Sequence, residues 1–534
     1  MIQRTSRLAL LLLLWTSATL AADGLAAKVE AVLKTPGYEN GQWGLLVIDS
    51  ATGKVVYEKN ADRMFCPASV TKVFSTAAAM VDLGADYRFQ TPIVRKGNID
   101  VDGILHGDLI VVASGDLSLG GRTGPDGSLL FEDNDHIYAG GNNVGAIVPT
   151  DPLAGLEELA RGVIAAGVKT VSGDVVIDDR LFATAPSTGS GPSRVTPIMV
   201  NDNLVDILVT PGEKAGDRAV VRIVPETSYV AVDARVTTAA EGELPSVTVR
   251  AVGARAFSVR GRVPVGRKPL VKIYEVDNPA SYARALMIET LRRRGVKVDA
   301  SPLGSNTVDH LPARPEVAAM PKLATYTSPP FREYAKVILK VSHNLHASAL
   351  PMLVGAHHGE TTLTQGLRRQ GKILDELGVD IGTISFGGGA GGAREDLVTP
   401  RATVALFRAL ATRPYYESFE AALPVLGKDG TLAKAVSPES RARGHARAKT
   451  GTYWLDNALN GKNVLTSKAL AGTIDAADGR KLTFAFFLNN IPIDATGIAV
   501  NESTAAAGRL LGKLCEVFYE TPADAPPTTG GASR

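Results

Sequence analysis

Pro67-Ala68-Ser69-Val70-Thr71-Lys72-Val73-Phe74, continued through Leu83 without glycine or proline and stopped by Gly84, reads as a helix over residues 69–83. Ser69 falls on its first turn. Residues three apart on a helix share a face, so Lys72 lies over the same side as Ser69 and can reach its hydroxyl. A serine hydroxyl is a poor nucleophile until a base takes its proton. A lysine serves as that base when burial or a neighbouring cation lowers its pKa. Chance supplies an S-x-x-K tetrad readily, and alone it more often marks a solvated helix lysine, so the reading turns on what accompanies it.

Two further short signals follow in order: Ser342-His343-Asn344 and Lys449-Thr450-Gly451, each present once. The first comes directly after a helical-looking stretch over residues 334–341. There Ser342 can relay a proton between Lys72 and a leaving amine, and the Asn344 amide can bond both Lys72 and a substrate backbone. The second fits the start of an edge strand, where Gly451 permits close approach to the backbone. Lys449 supplies the cation that lowers Lys72, and with the hydroxyls of Thr450 and Thr452 it suits a substrate carboxylate. The backbone N–H groups of Ser69 and Thr452 are the candidate oxyanion hole.

Outward from these motifs, apolar runs at residues 45–48 and 55–57 flank the turn-rich Asp49-Ser50-Ala51-Thr52-Gly53, a hairpin signal. Residues 469–474 and 482–488 around Ala477-Asp478-Gly479 give another, and a helix is expected over residues 504–518. The middle differs in texture, with short Val-rich runs and two capped helices. Asp151-Pro152 opens one and Gly167 closes it, while Asn278-Pro279 and Gly295 bound the other. The expected organisation is a leader at residues 1–22, then a discontinuous catalytic domain at 23–86 and 321–520. An inserted α/β region spans 87–320, with a β-rich subdomain nested near 209–270, and a disordered tail covers 521–534. The fold class is α/β (α+β), an antiparallel sheet flanked by helices plus a helical subdomain.

Arg4 and Arg7 precede an apolar run over residues 8–15 and the small residues Ser17, Ala18, Ala21 and Ala22, which reads as an export signal and places the mature protein in the periplasm or outside the cell. The run is short for a membrane span, so retention as an anchor with peripheral membrane association is the rival reading. With Arg4 and Arg7 removed, 55 basic side chains face 55 acidic ones, which leaves no basic field for nucleic acid. Cys66 and Cys515 could pair in an oxidising compartment, but spacing alone leaves that open. His343 with His346, and His357 with His358, lack an H-E-x-x-H pattern and read as hydrogen-bonded side chains. No metal or other cofactor is expected, and His343 is expected to tune the pH profile from beside Ser342.

The ordered set resembles the penicillin-recognising serine enzymes, and among them the class C low-molecular-mass penicillin-binding proteins, which are D-alanyl-D-alanine carboxypeptidases and endopeptidases. That family carries a long insertion between its S-x-x-K helix and its S-x-N element, and Ser69 and Ser342 are similarly far apart. Family-like stretches also occur at residues 107–117, 173–179, 200–203 and 428–432. The resemblance implies a β-lactamase/transpeptidase-like domain, peptidoglycan stem peptides as substrate, and β-lactams as inhibitors that acylate the same serine. Three departures are present: His343 where the family has Asp or Asn, a glycine-rich stretch at residues 386–396, and no aromatic within residues 187–194 to hold the stem peptide. The alternatives are a β-lactamase or esterase using the same residues, and a wall-binding protein whose cleft the glycine-rich stretch has disabled.

Overall fold

The sheet of the first unit is built on two strands that are buried on both faces, Gln42–Asp49 and Lys481–Ile493. In Gln42–Asp49, the side chains of Trp43, Leu45 and Val47 point to one core while Leu46 and Ile48 point to the other side. The strand pairs antiparallel with Lys481–Ile493, placing Leu45 opposite Phe486 and Val47 opposite Phe484. With period-two alternation, a slip of one residue would exchange the two faces, so this pattern fixes the register. The resulting five-stranded antiparallel sheet runs in the order Val55–Lys59, Gln42–Asp49, Lys481–Ile493, Lys462–Asp475, Ala446–Asn457.

The structure, a computed structural model, describes residues 24–139, 143–493 and 498–520. The readings of a leader at 1–22 and a disordered tail at 521–534 lie outside the described residues. The chain divides into two compact units. The first holds the residues up to Asp82, Ile338–Ser342 and those from Leu367 onward; the second holds Leu83–Val337 and His343–Gly366.

In the first unit, Ile498–Tyr519 lays Ala507, Leu511, Leu514 and Phe518 into one core cluster with Leu482, Phe484, Phe486 and Leu488. That helix begins six residues before the expected position. Both cysteines are free: Cys515 is buried in this core and Cys66 is half-buried. Burial pushes both thiols upward in pKa.

In the second unit, Asn278 caps Pro279–Arg293 by accepting the Ser281 N–H, as the Asn-Pro signal predicts. The other helix starts later, at Ala154, because Asp151 first closes a turn by accepting the Leu153 N–H. Both helices pack into one core with the strands beneath them, through Leu156, Leu159 and Val163 on one and Leu286, Met287 and Leu291 on the other. The strands that follow them, Thr170–Val171 and Lys297–Val298, pair in parallel with each other. A separate three-stranded sheet is formed by Ala231–Ala239, Ala256–Pro264 and Ser246–Gly253.

Candidate active site

The segment leading to Ser69 is fastened to the centre of the five-stranded sheet. Asn489 Oδ1 accepts the Cys66 N–H at 2.8 Å and its Nδ2 donates to the Cys66 carbonyl, while Ser467 Oγ donates to the same carbonyl at 2.7 Å. The chain then tightens into a 3₁₀ turn, Ala68–Val70, before the α-helix Thr71–Asp82. The expected helix from Ser69 therefore starts two residues later. Ala68 carries a φ of +45°, a conformation costly for a residue with a Cβ, and it immediately precedes the serine.

Lys72 is completely buried and its Nζ donates to Ser69 Oγ at 2.7 Å and to the Ala390 carbonyl at 2.7 Å. Burial in this apolar helix pushes its pKa down to about 7, against the opposing pull of Asp396. Asp396 is itself buried and raised to about 6, and its carboxylate accepts the Gly387 and Ala393 N–H groups. The glycine-rich stretch thus closes upon the serine helix. Gly389 accepts Ser75 Oγ at 2.8 Å, Phe386 meets Phe74 edge-on at 5.2 Å, and a Cβ on Gly391 would stand 1.9 Å from the Ala68 carbonyl oxygen.

Lys449 is equally buried, and its Nζ donates to Ser342 Oγ at 3.0 Å and to the Thr450 carbonyl at 2.7 Å. Burial first and the charge of Lys72 second hold its pKa well below the usual lysine range. Burial accounts for the lowering at Lys72, with Asp396 opposing it, which differs from the expectation that Lys449 supplies the lowering cation. Ser342 sits in the short link after the helix Phe331–Lys340 with a φ of +65°. Thr450 Oγ1 donates to Thr431 Oγ1 at 2.8 Å, which draws in the stretch at residues 428–432. That stretch is fixed by Lys340, whose Nζ bonds Asp429 and the Leu423 carbonyl.

Gly451 is required for a different neighbour than a ligand: a Cβ there would lie 2.3 Å from the Pro67 carbonyl oxygen and 3.3 Å from Ala68 Cβ. Its strand lies hard against the serine turn. Gly451→Ala is expected to destabilise by about 1–3 kcal/mol through overpacking and to slow acylation of Ser69, read by thermal melting and by labelling rate.

The first unit therefore brings together Ser69, Lys72, Ser342, Lys449, Thr450, Gly451 and Thr452. Asn344 opens the helix Asn344–His357 of the second unit, where its N–H donates to the Ile137 carbonyl at 3.2 Å and its amide to the Tyr138 carbonyl at 3.4 Å. His343 does not act as a titrating neighbour of Ser342: it is fully buried, and burial holds its pKa well below the usual histidine range.

Residues 25–508 match the model of the D-Ala-D-Ala carboxypeptidase 3 (S13) family. The chain belongs to that family. As an S13 peptidase it is a serine D-alanyl-D-alanine carboxypeptidase by type. Similar proteins include the D-alanyl-D-alanine carboxypeptidase of Actinomadura sp. (strain R39), 29% identical over 464 residues that cover 82% of this chain and 78% of that protein. Another is the D-alanyl-D-alanine carboxypeptidase DacB of Haemophilus influenzae, 24% identical over 475 residues and covering 84% and 86%. The crystal structure of penicillin binding protein 4 (dacB) from Haemophilus influenzae superposes with a TM-score of 0.66 at 20% identity, covering 91% of this chain and 98% of that one, which shows a shared fold. The same protein complexed with a β-lactam gives a TM-score of 0.65 at 20% identity, covering 92% and 100%.

Sequence reasoning did not single out Asp396 or the Ala390 carbonyl as neighbours of Lys72, although both lie within the stretch that departs from the family pattern. It also missed Lys468, which stands opposite Thr452 across the strands, donates to its hydroxyl at 2.8 Å and is lowered to about 8 by burial. Only the register reveals that pairing.

Proposed function

We propose that Ser69 is the nucleophile and Lys72 its general base, in an enzyme that cleaves the D-alanyl-D-alanine bond of peptidoglycan stem peptides through an acyl-enzyme. The observation that carries this reading is the 2.7 Å contact from a fully buried Lys72 Nζ to Ser69 Oγ, with the lysine at a pKa of about 7. A base poised near neutrality is half-deprotonated where the enzyme works, so it can take the serine proton and return it.

Ser69 Oγ attacks the carbonyl of the penultimate D-alanine, forming the O–C bond as its proton moves to Lys72. The tetrahedral oxyanion is held by the Ser69 and Thr452 backbone N–H groups. Collapse breaks the C–N bond, and Ser342, bonded to Lys449, gives its proton to the leaving amine as it takes one from Lys72, which leaves Lys72 neutral to activate the water. Water then hydrolyses the ester. Lys449, Thr450 and Thr452 receive the terminal carboxylate, whose negative charge restores the charged form of Lys449. Asn344 bonds the substrate backbone. Lys468 supports Thr452, and Asp396 holds the glycine-rich stretch against Lys72.

The same serine takes β-lactams, whose opened ring keeps the leaving group tethered and slows hydrolysis. This is supported by the β-lactam complex of the similar Haemophilus influenzae protein. Residues 23–86 and 321–520 form the catalytic domain in this reading, interrupted by an insertion at 87–320. The N-terminal leader exports the enzyme to the periplasm or beyond. No helix among the described residues is long and apolar enough to cross a membrane. A glycine-rich stretch that supplies a carbonyl to Lys72 argues against a disabled cleft. Fluorescent penicillin labelling of wild type and Ser69→Ala, followed by mass spectrometry of digested muropeptides, tests the reading. Labelling that survives the substitution would refute the nucleophile.

A further inference from the structure

The second unit contains a concentration of buried charge that the reaction does not use directly. Arg122, 3% exposed, donates from Nη1 to Asp135 Oδ2 at 2.9 Å, and from Nε and Nη2 to Asp202 Oδ2 at 3.2 and 2.8 Å. His136 bridges Asp202 Oδ2 at 2.9 Å and Asp206 Oδ1 at 2.7 Å. Burial opposes charge on that ring, but Asp206 and Asp202 override it and push its pKa up to about 10, so both nitrogens donate. His346 Nε2 reaches the other oxygen of Asp202 at 2.7 Å. Asp202 is the hub: three cationic or polar side chains converge on one carboxylate that is 4% exposed.

Around this hub the backbone is strained. Asn134, His136 and Tyr138 have φ of +64°, +53° and +59°, and the consecutive Asn201, Asp202 and Asn203 have +49°, +50° and +60°. Side chains with a Cβ rarely adopt this region, and such strain persists only where the surroundings over-determine it. Apolar packing would stabilise a core at lower desolvation cost than an ionic cluster does. The hub instead enforces a backbone path that would otherwise relax.

That path ends on one residue. Tyr138 Oη donates to the Asp202 carbonyl at 2.6 Å, and the Ile137 and Tyr138 carbonyls accept the backbone N–H and the amide of Asn344. From the other side, His343 Nδ1 accepts the His346 N–H at 3.4 Å as the cap of the helix that Asn344 opens, and the two rings stack at 3.8 Å. Asp202, His343 and His346 bring ligand-type atoms within 4.8 Å of one another, which invites a metal reading. The geometry disfavours it. The capping bond leaves the His343 proton on Nε2, the nitrogen that faces Asp202, and Arg122 already occupies that carboxylate.

We propose that Asp202 is a positioning residue for the S-x-N asparagine: through Arg122, His136 and His346 it holds the strained 134–138 and 201–203 segments that aim Asn344. The proposal rests on the role of Asn344 given under Proposed function. The test is a double-mutant cycle on the full chain, with Asp202→Asn and Asn344→Ala singly and combined, read as the second-order rate of labelling by fluorescent penicillin. His346→Gln serves as a second probe of the same hub should Asp202→Asn not fold. Misplacing a reacting contact by about 1 Å costs up to about 100-fold, so each hub variant is expected to slow labelling by about 10- to 100-fold in the wild-type background. In the Asn344→Ala background the same variant should change the rate less than twofold. An equal loss in both backgrounds, or no loss in the wild-type background, overturns the proposal. Absence of labelling in the wild type would instead sink the functional reading, so the two failures are distinguishable.

Discussion

Ser69→Ala is expected to abolish covalent labelling by penicillin and to lower D-alanine release by about 10⁵-fold, the scale on which loss of a serine nucleophile acts. Lys72 Nζ reaches Ser69 Oγ at 2.7 Å, whereas Ser342 Oγ is held by Lys449 at 3.0 Å in the relay role proposed for it. The substitution should leave the fold intact. Ser69 is half-buried, and the turn that carries it is fixed by the backbone of Cys66 and by Asn489 and Ser467, not by its own hydroxyl. A melting temperature close to wild type together with unlabelled protein is the expected pair of results. Residual labelling above background would place the nucleophile elsewhere.

Lys72→Met is expected to slow acylation by about 10³-fold, within the range that removal of a general base produces. The pH dependence gives a finer check. The base must be neutral to accept the serine proton, so the wild-type acylation rate should rise with pH through about 7, the pKa that burial imposes on Lys72. The nearby Asp396 carboxylate favours the charged lysine and so holds that limb up. Asp396→Asn removes the negative charge while keeping an acceptor for the Gly387 or Ala393 N–H, and the acid limb should then move to lower pH. A limb that stays in place, or moves to higher pH, would show that Lys72 is not the group being titrated.

Strands of the five-stranded sheet were legible because short continuous apolar runs, such as residues 45–48, are bounded by turn-formers, such as Asp49 to Gly53, that mark where the chain reverses. The Asn278 helix was legible for a local reason too: cap, proline and terminal glycine all act within one turn of the helix ends. Legibility failed where partners come from far along the chain. Lys468 looked like any strand lysine until the register set it opposite Thr452. Asp202, within a stretch noted only for its family likeness, gave no local sign that Arg122 and His136 would gather around it. The glycine-rich stretch looked like a defect, since a run of glycines carries no side-chain chemistry. Its contribution comes from carbonyl groups and from the absence of a Cβ at Gly391. His343 misled through adjacency, because its neighbour in sequence is not its neighbour in the core.

The central pairing of the first unit's sheet joins Gln42–Asp49 to Lys481–Ile493, strands from opposite ends of the chain. Closing so long a loop is entropically slow, and no contact repays it until the last strands have emerged. Ser69 is stapled to Asn489 and Ser467 on those late strands, and Gly451 must already lie against Pro67. Until the final hairpin forms, the segment carrying Ser69 and Lys72 lacks the sheet contacts that hold its turn. A chain truncated before that hairpin is therefore expected to show no penicillin labelling, because the anchors of the Ser69 turn are missing from it.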